Sequence, residues 1–383
     1  MSCHSANSRL AYCNQYGHRR LFSSGLGICF VALLASAAIY YARGQQPKPA
    51  QDFFLRPFAA GSPWNTPIGS QAMYQPIGDI GNCHGGINYE RRWTTGAYKA
   101  ATRDRVARLY IADYTLWGKL SRGEVKTVGN SRAVEDELRR TARSRPEYPA
   151  NFYSTRVRTP PGRRTWPVNI RGIQEGWSNT IYMPSDAVPS PDSDAQLAVM
   201  QPNGLILECY DAVVCANGDV ICSMASFTDP SGDGVGSNNG RCASLLDNYA
   251  GLIRKGEVAD GRILHALSCT MSRLLLAPQA VWPAYAFDMN DHYEGTVPMG
   301  ALLAIPSEVK LHSLGLSKRG MVIARAAQDY GVYVVDRGGD GGITIKAALD
   351  AEDAMYPESN KDAEIIVKLL QRIANNGPRI IGH

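Results

Sequence analysis

The sequence predicts a mainly β extracytoplasmic domain with several helices, β-sandwich or jelly-roll-like, behind an N-terminal transmembrane helix. Three observations predict it. The run from Leu21 to Ala42 carries no charge and directly follows Arg19-Arg20. From Gln196 to Phe227, three β-rich segments are separated by Gln201-Pro-Asn-Gly204 and Asn217-Gly218, and Asn-Gly between such runs is a strong hairpin signal. Six cysteines follow the apolar run, five of them between Cys209 and Cys269.

The apolar run is long enough to cross a bilayer, which takes about 20 helical residues. Arg9, Arg19 and Arg20 precede it, so the positive-inside rule leaves the N-terminus in the cytoplasm. Residues 1–20 then form a cytoplasmic N-terminus, 21–42 a signal-anchor, 43–57 a polar, Pro-containing linker, and 58–383 the domain in the periplasm or outside the cell. Ala35-Ser36-Ala37 also fits the small-x-small cleavage pattern of a signal peptide, which would make the protein secreted. Ile39-Tyr40-Tyr41 extends the apolar run past that point and favours the anchor.

Cysteine usage agrees with export. Cys83, Cys209, Cys215, Cys222, Cys242 and Cys269 are even in number, and an oxidising compartment permits up to three disulfides. No pair has Cys-x-x-Cys spacing, which argues against structural zinc.

The net charge of +5 hides an asymmetry. Arg91 to Arg171 holds 19 Lys/Arg and 7 Asp/Glu, a net of +12, whereas the chain from Gly172 onward holds 15 basic and 25 acidic residues, a net of −10. The basic part suits an anionic polymer such as an acidic glycan, or simply pairs with the acidic half. Nucleic acid is disfavoured by the compartment and by the absence of a stacking motif.

Along the chain, Ser62-Pro-Trp-Asn-Thr-Pro-Ile68 is extended and turn-rich. Val134 to Arg143 reads as a helix, acidic early and basic late, and five prolines keep Arg145 to Pro167 irregular. Leu197–Met200, Leu205–Val214 and Val220–Phe227 read as three antiparallel strands. Ser244 to Arg254 reads as a helix with Ser244 as N-cap. As a strand, Arg262 to Met271 places Ile263, His265, Leu267, Cys269 and Met271 on one face. A helix over Lys318–Gln328, strands at Val332–Asp336 and Ile343–Lys346, and an amphipathic helix carrying Ile365, Ile366, Leu369, Leu370 and Ile373, stopped by Gly377, complete the reading.

Four places carry candidate chemistry. In Cys83-His-Gly-Gly-Ile-Asn-Tyr-Glu90, Gly85-Gly86 lets backbone approach a ligand and His84 can serve as acid, base or ligand. His-Gly-Gly also resembles the oxyanion loop of lipases, but the chain has no Gly-x-Ser-x-Gly elbow. In Glu208-Cys-Tyr-Asp211, alternation puts Glu208 and Asp211 on opposite faces, so at most one is a catalytic carboxylate, and Asp211 beside apolar neighbours suits a general acid. The loop Asp229-Pro-Ser-Gly-Asp-Gly-Val-Gly-Ser-Asn-Asn-Gly240 offers oxygen ligands for calcium at Asp229 and Asp233, though not with the spacing of the twelve-residue calcium loop, and otherwise forms a cleft rim. His265 is either a catalytic group or a satisfied core histidine.

Ser62-Pro-Trp-Asn-Thr-Pro-Ile68, Tyr210-Asp211, Gly240-Arg-Cys-Ala-Ser244, Ala250-Gly-Leu-Ile253, Gly261-Arg-Ile-Leu-His-Ala-Leu267 and Tyr330-Gly-Val-Tyr-Val-Val-Asp336 resemble, in content and order, a set of exported microbial proteins. The resemblance spans most of the exported region and implies export and a shared β-rich domain, not a reaction. The His84-Gly-Gly segment and the arginine-rich stretch after it lie outside the shared pattern.

Export, a β-rich domain, and Trp64, Trp93, Trp117, Trp166 and Trp177 as surface aromatics point to a carbohydrate-active enzyme that cleaves a glycan, with an acidic one favoured by the basic stretch. Hydrolysis would pair Asp211 with Asp233 across the bond. Elimination would use His265 or Tyr210 as base with Arg241 as neutraliser. The alternative is a non-catalytic, membrane-tethered protein that binds glycan or envelope. His265 and Asp211 are expected to face one cleft.

Overall fold

The computed structural model describes residues 51–78, 80, 84–87, 94–111, 157–158, 180–191, 194–210, 212–215, 218–222, 224–235, 242–288, 292–339 and 341–377. The anchor segment 21–42, the linker up to residue 50, the expected helix Val134–Arg143, Cys83 and four of the five surface tryptophans lie outside them. Among the described residues no helix is long and apolar enough to cross a membrane.

Val332–Arg337 begins with four buried residues in succession, Val-Tyr-Val-Val. A strand buried on both faces belongs inside a sheet, flanked on both sides. It is the centre of a curled seven-stranded sheet in the order Tyr74–Gln75, Gln371–Ile373, Leu302–Ala304, Val332–Arg337, Leu267–Met271, Gly342–Ile345, His84–Ile87. Val332–Arg337 runs parallel to Leu267–Met271, and Gly342–Ile345 runs parallel to His84–Ile87, while the other neighbours are antiparallel. The described protein is mainly β, 31% strand and 11% helix.

Two helices join this sheet. Lys318–Asp329 starts at Ser317, whose hydroxyl accepts the Gly320 amide at 3.0 Å. That hydroxyl also donates to the buried Asp362 on the second helix, Ser359–Leu369. Tyr356 donates to the same carboxylate at 2.6 Å, so one buried acid ties both helices together. The second helix lies so close to His84–Ile87 that a Cβ on Gly85 would sit 2.4 Å from the Ala363 carbonyl oxygen. Gly85 therefore admits the helix backbone at this point.

This helix ends at Leu369. The apolar stripe does not continue helically to Ile373 or Gly377: Leu370 is extended, and Gln371–Ile373 pairs with strands on both sides. Two ladders of backbone hydrogen bonds outweigh one more helical turn. The expected helix over Ser244–Arg254 is likewise a series of turns. Its backbone is committed elsewhere: Ser244 N–H donates to Val335, Ile253 N–H to Lys346, and the Gly251 carbonyl accepts from Ser268. Leu245 and Gly251 both have positive φ, which a helix forbids.

The three-stranded meander is divided between two sheets. Leu197–Met200, Ile206–Tyr210 and Met224–Thr228 join Gly96–Lys99 in one four-stranded sheet. Val213–Val214 and Val220–Cys222 join Arg105–Ile111 and Thr180–Met183 in another. Both bury Leu109, Val199, Leu207 and Val220 in one apolar cluster.

Trp64 is a core residue, 1% exposed, packed on Tyr333 with centroids 4.9 Å apart and the rings tilted by 59°. It is not a surface aromatic. Its motif works as a clasp: Asn65 Nδ2 donates to the carbonyls of Pro57, Phe58 and Ala59 at 2.8–3.1 Å. Of the six cysteines expected to pair, Cys83 lies outside the described residues. Cys209, Cys215, Cys222, Cys242 and Cys269 are all buried, and no disulfide joins them to one another among the described residues. They pack as small apolar side chains.

Candidate functional site

A cleft of about 670 Å³ opens over one face of the seven-stranded sheet. Its floor is a cross-strand row. Asp336 is the register partner of Thr270, Thr270 of Thr344, and Thr344 of Gly86. All four line the cleft. The row exists because the parallel ladder slips between Cys269 and Thr270: Cys269 faces Val334, but Thr270 faces Asp336. This bulge adds one residue and turns Asp336 onto the face of Thr270.

Asp336 Oδ1 accepts the Arg337 amide at 2.8 Å. Burial raises its pKa to about 7, helped by the charges of Asp288 and Asp194 and opposed by Lys346. A carboxyl poised there can give or take a proton near neutrality.

Lys346 also lines the cleft, although only 5% of its surface is exposed. Its backbone is held on both sides, the amide by Ser268 at 2.9 Å and the carbonyl by Ile253 at 3.0 Å. Its ammonium donates to Asn248 Oδ1 and lies 3.8 Å from Cys242 Sγ. Behind it are two buried acids. Glu208 accepts the Tyr249 amide at 2.6 Å, and Asp247 accepts from Thr228 at 2.5 Å. Burial and the neighbouring Asp247 charge push Glu208 well above the usual carboxylate range, against the backbone amides and Lys346. Buried charge needs such pairing.

The other wall carries Asp194 and Gln196. Tyr210 donates to Asp194 Oδ1 at 3.0 Å and so reaches the cleft through one hydrogen bond. Across the opening, exposed His84 lies 3.8 Å from Glu364.

Of the residues singled out in the sequence, the cleft includes His84 and is backed by Tyr210. His265 does not line it. It is 5% exposed, with Nδ1 at 2.9 Å from the Ala266 carbonyl and Nε2 at 3.1 Å from Glu257 Oε1. Asp233 closes its own turn by accepting the Val235 amide, and Asp229 does the same with Ser231. These carboxylates are occupied by their own loop, and no cluster of three metal-ligating side chains occurs among the described residues. The 229–235 segment docks on the Phe58–Ala59 backbone and is absent from the cleft lining. Asp211 and Arg241 lie outside the described residues, so the pairing of His265 with Asp211 has no described counterpart.

Asp336, Lys346, Asp194, Gln196 and Glu364 are the cleft groups that sequence reasoning missed. Asp336 had one signal: it is the lone acid at the end of a fully apolar strand.

Comparison with protein-family models, curated proteins and solved structures gives no significant match.

Proposed function

We propose that this is an exported carbohydrate-active enzyme that cleaves a glycan at the cleft over the seven-stranded sheet. The observation that carries the reading is the placement of Asp336, which lines an open cleft together with Asp194 and whose carboxyl is held by burial above the usual carboxylate range. In its protonated form it donates to the leaving glycosidic oxygen, and Asp194, oriented by Tyr210, is the second carboxylate that hydrolysis requires. Lys346 keeps the buried floor from accumulating negative charge. The anchor over residues 21–42 and the sandwich-like, extracytoplasmic character of the domain belong to the same reading. Its competitor, a glycan-binding protein without chemistry, loses one of its surface aromatics, because Trp64 is in the core.

The test is a reducing-end assay of the full-length protein against a panel of neutral, amino and acidic polysaccharides. Asp336→Asn is expected to lower the rate by about 10²–10⁴, the range for loss of a general acid, with little change in thermal midpoint. No product from any polysaccharide, or an unchanged rate in the variant, overturns the reading.

A further inference from the structure

A second pocket, of about 360 Å³, shares no residue with the cleft. It opens where Arg105–Ile111 begins and Thr180–Met183 ends, because Arg105 and Met183 are register partners. Its volume falls within the range of about 300–1,000 Å³ typical of small-molecule sites.

Two residues of its lining, Arg103 and Arg105, come from the basic stretch Arg91–Arg171, which contributes nothing to the cleft. Both are exposed, and neither guanidinium has a hydrogen-bond or ion-pair partner among the described residues. Arg105 is held in place all the same. A Cβ on Gly218 would lie 2.9 Å from its Cδ and 3.0 Å from its Nε and Nη1, so the side chain lies across the bare Cα of that turn. Gly218 has φ +83°, a conformation that glycine adopts without steric cost. One glycine thus shapes the turn and seats the arginine. Placement by packing leaves the guanidinium N–H donors unspent.

Asp104, the acid in this lining, does not cancel the charge. Its Oδ2 accepts the Ala101 amide at 2.7 Å, which closes the turn before the strand, and it pairs with neither arginine. Two arginines and one aspartate leave the lining at +1. Met183 and Val214 supply apolar wall.

We infer that this pocket binds a sugar-sized molecule carrying an oxyanion, either a phosphate monoester or a carboxylate. The guanidinium fork matches the oxygen spacing of both groups, and its charge-assisted hydrogen bonds are roughly twice as strong as neutral ones. The apolar wall takes the body of the ligand, and the unspent donors take its charge.

The test is calorimetric titration of the full-length protein, at low ionic strength, with glucose monophosphate, glucuronate and glucose. At least one of the two anions should bind, and glucose should bind about tenfold more weakly or not at all. Binding of the phosphate alone assigns the pocket to phosphate monoesters, and comparable binding of glucuronate assigns it to carboxylates as well. Arg105→Gln and Arg103→Gln should each weaken the anion by about tenfold, the loss of one charge-assisted hydrogen bond. Both side chains are exposed, so the thermal midpoints should stay at the parental value. Asp336→Asn, in the separate cleft, should leave anion affinity within about twofold, so loss of the glycan reading and loss of this site are read apart. Glucose binding as tight as the anions, no binding of either anion, or unchanged affinity in the Arg105 variant overturns the inference.

Discussion

Asp336 faces Thr270 across two parallel strands, one position beyond a bulge between Cys269 and Thr270. Without that slip, Thr270 would face Val335, and Asp336 would share its face with buried Met271. One extra residue in the ladder thus converts a carboxylate that alternation assigns to the core into a cleft group.

The protonation of Asp336 leads to a stability prediction. Its pKa in the folded protein is raised to about 7, chiefly by burial, while the unfolded chain ionises near 3.9. Between these values the folded state holds a proton that the unfolded state has lost. Its contribution therefore favours folding at low pH and fades as pH rises toward about 7. Glu208 acts in the same direction. Urea unfolding at a series of pH values should show Asp336→Asn losing less stability than the parent between pH 4 and 7. An identical or steeper loss in the variant would contradict the raised pKa.

Trp64 joins two segments distant in sequence. Its carbonyl accepts the Ala266 amide at 2.7 Å, and its ring packs on Tyr333. Trp64→Ala should cost about 3–5 kcal/mol in denaturant unfolding, the range for a large aromatic removed from a core. A cost below about 1 kcal/mol would show the site to be exposed, as surface positions behave.

His265→Ala should lower stability by about 1–3 kcal/mol, the cost of leaving buried partners unsatisfied. The partners affected are the Ala266 carbonyl and Glu257. Binding of the cleft ligand per folded molecule should not change. A variant with parental stability and no binding would return His265 to the site.

Gly85→Ala places a methyl 2.4 Å from the Ala363 carbonyl oxygen, where only backbone can give way. Overpacking of this kind typically costs about 1–3 kcal/mol. The thermal midpoint should fall, and amide exchange should quicken in Ser359–Leu369 before it does in the central strands. Unchanged exchange in that helix would mean that it does not rest on Gly85.

The fold was legible where burial has a local period. Val332–Arg337, the helix Lys318–Asp329 and the three strand segments after residue 196 all follow from runs of apolar residues and turn chemistry. Two readings failed for one reason: neighbours distant in sequence claimed the backbone. Ser244–Arg254 gave its amides to other segments, and the tail of the last helix became a strand paired on both sides. The site was less legible. His84 was visible as a motif and Tyr210 as a pair with Asp211. Lys346 looked like an ordinary lysine at the end of a strand.

The sequence by itself determined the β-rich character, the buried strands and the expectation of an apolar N-terminal anchor, because each is written in composition and periodicity along the chain. Only the tertiary structure decided which groups share the cleft. Periodicity records whether a side chain is buried, and holds no record of which strand lies beside which or where a ladder slips. Asp336, Thr270, Thr344 and Gly86 form a row through pairing alone, and Lys346 meets Asn248 across 98 positions of sequence. Those contacts are made in three dimensions by backbone hydrogen bonds, whose partners no local pattern names.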